Sequence, residues 1–69
     1  MINSSKQQAQ VFLRRPAVEL KTALSRSRIY ALMEIGDFPK PVYLGAMSVA
    51  WIEAEVDTWM DKRIAARGV

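Results

Sequence analysis

Two prolines within three positions divide this chain. The run Asp37-Phe38-Pro39-Lys40-Pro41 is excluded from helix, because each proline disfavours α conformation at the residue before it. Elements on either side of that break must form separately. On the N-terminal side, Ser25 is a strong helix N-cap, its hydroxyl placed to accept from an orphan backbone N–H two or three residues on. Ile29, Leu32 and Met33 follow at i, i+3 and i+4, one face of a helix, and Gly36 supplies the left-handed residue that ends it. Ser27, Ala31 and Glu34 lie opposite that apolar stripe, Arg28 and Tyr30 flank them, and Arg26 sits near the core edge. Arginine reads guanine edges, and Ser or Tyr bonds bases or phosphates, so this polar first turn suits a DNA major groove. Many solvated helices carry a polar face with arginines, so the neighbouring elements decide the reading.

Residues 1–10 are polar and aperiodic and read as a disordered tail. Val11, Phe12 and Leu13 begin the ordered part, and Pro16 suits a first helical position. Residues 16–21 form a short helix with Val18 pointing inward and Ala17 or Leu20 as its companion. Residues 21–24 connect it tightly to the helix capped by Ser25, as in a helix-turn-helix. Past the prolines, Val42-Tyr43-Leu44 reads as a strand with Val42 and Leu44 on one face. Gly45-Ala46-Met47 turns, and residues 48–51 alternate again with Val49 and Trp51 together. A hairpin directly after a recognition helix is a wing. Residues 53–66 make the last helix, where Ile52, Val56, Trp59, Met60 and Ile64 form an amphipathic stripe. Its acids come early and its bases late, which suits the helix dipole, and Gly68 follows as the stop. Trp51, Trp59 and Phe38 are expected to supply much of the buried area. The predicted fold is mainly α, a small winged helix-turn-helix with three helices and a two-stranded β-hairpin wing. Residues 1–11 form its flexible tail and residues 12–67 its domain.

With 69 residues the chain supports one small core. It has no Cys and no His, which removes disulfides, thiolate metal sites and the commonest general base. Without a Gly-rich phosphate loop or a facing carboxylate pair, nothing is available to act as base, nucleophile or metal cage, so no enzyme, cofactor or metal is expected. The acids Glu53, Glu55, Asp57 and Asp61 lack a convergent partner and read as a solvated face. No apolar run is long enough to span a membrane and no signal segment is recognisable, so a cytoplasmic protein is the default. The charge is uneven. Residues 1–45 hold seven Lys or Arg against three carboxylates, whereas residues 46–69 hold three against four. Positive potential thus belongs to the part with the candidate recognition helix, a polyanion-binding footprint. Arg14 and Arg15 read equally as phosphate grips or as solvation of a terminus.

The run LSRSRIYALMEIGDFPKPVYLG followed by SVAWIEAEVDTWMDKR resembles the AlpA-like family of small prophage regulators. The resemblance spans roughly residues 12–67. Its motifs are the Leu-Ser-Arg-Ser turn, the Ile-Tyr pair, Gly-x-Phe-Pro-x-Pro, Leu-Gly and Val-x-Trp, which are specific only together. It implies a winged helix-turn-helix of the MerR type, acting as transcriptional regulator, as excisionase (recombination directionality factor), or as both. The implied contacts are Ser25, Arg26, Ser27, Arg28 and Tyr30, with residues 40–48 in the wing. Adding Arg15 at the first helix, the expected DNA-binding set is Arg15, Ser25, Arg26, Ser27, Arg28, Tyr30, Lys40, Tyr43 and Ser48. The implied partners are double-stranded DNA, an integrase, and further copies of the chain on adjacent DNA sites. Two positions depart from the family pattern. Ala31 and Met47 stand where Arg is frequent, and each removes a phosphate contact. An alternative follows from that loss: an adaptor that docks on an integrase or host regulator, with weak or no DNA binding.

Overall fold

Capping chemistry sets both ends of the helix that follows Ser25. Residues 10–68, which the computed structural model describes, run β1 (Phe12–Leu13), α1 (Arg15–Thr22), α2 (Arg26–Glu34), β2 (Val42–Gly45), β3 (Ser48–Ile52) and α3 (Glu53–Ala66). Ser25 is extended, and its hydroxyl accepts from the Arg28 N–H at 3.1 Å, the anticipated cap of α2. At the other end Gly36 takes φ +76°. The Gly36 N–H donates to the Met33 carbonyl and the Asp37 N–H to the Leu32 carbonyl, the paired bonds of a Schellman ending.

The turn from α1 to α2 has no glycine. Ala23 adopts φ +63°, a left-handed conformation that costs an L-residue about 1–2 kcal/mol. Thr22 helps to hold it there: its hydroxyl donates to the Val18 carbonyl at 2.7 Å and accepts from the Leu24 N–H at 3.2 Å. The first helix runs Arg15–Thr22, one residue longer at each end than the pattern predicted, with Pro16 in its first turn. Val18 is fully buried, and its neighbour Ala17 is half-buried. Leu20 is 87% exposed, so it is not the inward companion.

The fold is a winged helix-turn-helix, with one correction to its sheet. The expected two-stranded hairpin is a three-stranded antiparallel sheet of order β1-β3-β2. Phe12 pairs with Ile52 and Leu13 with Trp51, while on the other edge Val42 pairs with Ala50 and Tyr43 with Val49. A central β3 explains why adjacent residues Ala50 and Trp51 are both fully buried. Alternation places Leu13, Trp51, Val49 and Tyr43 on one face. Val42 pairs with the fully buried Ala50 and is half-buried, whereas Leu44, at the register shift between Tyr43 and Gly45, is exposed, so only Val42 turns partly inward. The same N-terminal segment caps α3, which has no side-chain cap: the Val11 carbonyl accepts from the Glu53 N–H at 2.8 Å. Of the expected tail, residues 1–9 lie outside the described residues.

The core is Val18, Ile29, Leu32, Phe38, Trp51 and Val56. Trp59 packs on its edge, half-buried, with its ring at 5.0 Å from that of Phe38, and Ile64 is exposed. The aromatic burden therefore falls on Trp51 and Phe38 more than on Trp59. Both indoles also fasten the proline linker. The Trp51 Nε1–H donates to the Pro39 carbonyl at 2.9 Å, and the Trp59 Nε1–H donates to the Asp37 carbonyl at 2.6 Å. These carbonyls lie outside both helix and sheet, and the side chains supply partners the backbone does not.

Three ion pairs bind α3 to its surroundings. Lys21 Nζ lies 3.1 Å from Glu53 and 3.0 Å from Asp57, while Arg63 reaches Asp37 at 2.8 Å and stacks over Trp59. Glu53 and Asp57 are thus not the solvated acids expected, but partners of a lysine more than thirty residues away in sequence. Among the described residues, no helix is long and apolar enough to cross a membrane, and no group of three or more acids gathers as a metal site.

Candidate nucleic-acid interface

The cap at Ser25 and the stop at Gly36 fix α2 to nine residues, and the fastened linker sets β2 beside it. Two depressions lie along the wing-side flank of α2. A groove of about 660 Å³ runs between its Ser27, Tyr30, Ala31 and Glu34 and the wall made by Lys40 and Tyr43. A cleft of about 370 Å³ lies nearer the start of the helix, bounded by Arg14, Arg15, Arg26, Tyr30 and the wing tip at Met47. Tyr30 lines both and separates them. Its ring meets Trp51 edge-on at 6.4 Å, so one side rests on the core while the other faces the depressions.

The candidate residues meet different fates. Ser27, Tyr30, Lys40 and Tyr43 converge on the groove, and Tyr43 is 77% exposed, as a contact residue must be. Arg15 and Arg26 converge on the cleft. Arg28 is exposed but lines neither depression, since it lies about 100° round the helix from Ser27. Ser25 spends its acceptor on the cap, which leaves its O–H as a donor. Ser48 is half-buried, pairs with Gly45 in the hairpin and lines neither depression. Several residues outside the expected set also belong to these walls, three of them bearing on the reading. Glu34 and Ala31 lie in the groove and Arg14 in the cleft. The wheel already placed Ala31 and Glu34 on the outward face, whereas Arg14 carried no signal that would rank it beside Arg26.

The electrostatics favour an anion. Among the described residues, Arg14, Arg26, Arg28 and Lys40 have no carboxylate within ion-pair distance. Arg15 donates through Nε to Glu19 at 2.9 Å, a partly exposed pair within α1. The Arg26 guanidinium lies 5.9 Å from the Tyr30 ring centroid, a cation–π contact that restrains it. Met47, at 93% exposure, projects from the wing tip and brings no charge.

Comparison with known proteins agrees with this architecture. The family described as prophage CP4-57 regulatory protein (AlpA) matches residues 11–64. The chain is 52% identical over 56 residues to an uncharacterized protein, ORF88, of Enterobacteria phage P4; the match covers 81% of this chain and 64% of that protein. It is 44% identical over 57 residues to the DNA-binding transcriptional activator AlpA of Escherichia coli, covering 74% of this chain and 81% of that protein. The matched span begins at the strand that caps α3 and ends within α3 itself, so it takes in both helices of the turn, the proline linker and the whole sheet. The chain belongs to the AlpA family of prophage regulatory proteins.

Proposed function

We propose that this chain is a sequence-specific DNA-binding regulator of prophage or genomic-island origin. The observation that carries the reading is the set of cations around α2 without carboxylate partners, beside a groove bounded by the wing. A relative 44% identical is a DNA-binding transcriptional activator, which supports the same reading. In this account α2 enters the major groove. Arg28 and Ser27 face base edges, and Lys40 and Tyr43 follow the backbone. The expected output is control of transcription, of excision by an integrase, or of both, in the cytoplasm. Both need only site-specific binding, and copies on adjacent sites add cooperativity.

A gel-shift titration on the DNA upstream of the gene and on a neighbouring attachment site, against random DNA, tests this. Binding at least tenfold tighter to one of the first two supports the reading. Equal weak binding to all three removes sequence specificity. No shift on any duplex, with retention on an integrase column, makes the chain an adaptor instead.

A further inference from the structure

The cleft beside the first turn of α2 is lined by three arginines and no acid. Arg14 arrives from the extended N-cap position of α1, Arg15 from its first residue, and Arg26 from the first residue of α2. Guanidiniums gathered around one space repel each other unless an anion joins them. Two of the three are restrained before any ligand arrives. Glu19 holds the Nε of Arg15 and leaves its terminal nitrogens free, and Tyr30 restrains the Arg26 plane. Groups held in place in advance lose less entropy on binding.

The shape of the flank identifies the anion. Tyr30 lines both the cleft and the groove, so the two adjoin, and the groove carries Lys40 on its wall. A lone phosphate or sulfate would fill one and leave the other. An extended polyanion spans both. The groove also presents Pro41 and Tyr43, apolar surfaces that suit deoxyribose rings better than the carboxylates of an acidic peptide. Resting on the DNA-binding reading above, the geometry points to this cleft as the seat of one DNA phosphodiester, held by Arg14, Arg15 and Arg26 as the strand passes from α2 to the wing tip. Arg14 and Arg15 thereby act as a backbone grip and not as solvation of a terminus.

Arg14 is the residue to test, because it is exposed and makes no side-chain cap bond or ion pair among the described residues. Affinity of the full chain for a short mixed-sequence duplex is measured across a salt series, for the wild type, Arg14→Ala, Arg14→Lys and Lys62→Ala. Lys62 lines a separate depression beside Trp59 and matches the change in net charge. Arg14→Ala is expected to flatten the log–log salt slope by about one unit, the share of a single phosphate contact. Arg14→Lys restores most of the slope, Lys62→Ala leaves it unchanged, and thermal melts of all four coincide. An unchanged slope in Arg14→Ala, or an equal flattening in Lys62→Ala, overturns the seat while leaving DNA binding intact. Displacement of the duplex by poly-glutamate at matched charge, with the same dependence on Arg14, overturns the phosphodiester assignment. Failure of the wild type to bind any duplex at low salt removes the DNA reading itself. If Arg14→Ala alone melts early, methylphosphonate substitution at single phosphates of the duplex replaces it. A single position that weakens the wild type five- to tenfold supports the seat, and uniformly small effects overturn it.

Discussion

The cations beside α3 and those beside α2 are the same residue types in different company. Lys21 sits between Glu53 and Asp57, and Arg63 meets Asp37 while stacking on Trp59. Among the described residues, Arg26, Arg28 and Lys40 have no such carboxylate, and Arg15 gives only one nitrogen to Glu19. A cation satisfied within the chain adds little to the field that a distant polyanion feels. Lys21 and Arg63 thus spend their charges on holding the fold, whereas the cations around α2 keep theirs open to solvent. Net charge alone would not distinguish the two.

Trp51 joins these regions, since it fills the core, touches Tyr30 and fastens Pro39. Its removal is expected to have the largest effect. Trp51→Ala should cost about 3–5 kcal/mol, the range for a buried aromatic, and in so small a domain should abolish both folding and binding. Trp59→Ala, at a half-buried position, should cost clearly less. Thermal melts of the two variants side by side decide it, and the opposite ranking would mean that the core centres on α3.

Arg28→Ala probes the α2 side directly. It should weaken binding to the cognate site by about 1–3 kcal/mol and relax preference at one base pair, with the melting temperature unchanged. Equal losses on cognate and random DNA would reassign Arg28 to the backbone. Met47→Arg then adds a cation to the wing tip at the mouth of the arginine cleft. Competition binding in a salt series should show tighter binding to all DNA and a slope steeper by about one unit. A melt lowered by several degrees, or an unaltered slope, would detach the wing tip from the interface.

The smallest effect belongs to the α3 side. Lys21 donates to Asp57 and to Glu53, and these bonds hold its pKa above the ordinary lysine value. Its folded pKa being the higher one, the stabilisation is complete below about pH 10.4 and fades as pH climbs through the folded value. Lys21→Met should therefore lower the melting temperature slightly at neutral pH, with the gap to wild type closing in strongly alkaline buffer. DNA affinity should stay the same. A drop in affinity without a drop in melting temperature would place Lys21 at the interface and dissolve the contrast between the two sides.

What was legible in the sequence follows the range of the interactions. The ends of α2 depend on Ser25 and Gly36, each acting within a few residues, and both were readable. The hairpin and the last helix followed from alternation and from the 3.6-residue period. β1 was not readable, because two residues carry no period and their partners lie some forty positions away. Periodicity put Trp51 and Trp59 inside alike, but only packing against other elements ranks them. The same limit applies to the interface. Ser27, Tyr30, Lys40 and Tyr43 could be nominated by type, and they do line one groove. The meeting of Arg14 with Arg26, and the withdrawal of Lys21 into an ion-pair network, depend on tertiary contacts that no local pattern encodes.

The two indoles that fasten the linker also constrain how the chain tolerates changes in length. The carbonyls of Asp37 and Pro39 each accept from a tryptophan fixed in β3 or α3. One residue inserted between Gly36 and Pro41 would carry at least one acceptor several ångströms out of reach and change the spacing between α2 and the wing. The Ala46-Met47 turn is exposed and outside the core, so extra residues there leave every one of these bonds in place. Insertions and deletions among natural variants should therefore gather at the wing tip and avoid the linker. Wing length would then vary freely, while the spacing between recognition helix and wing stays constant.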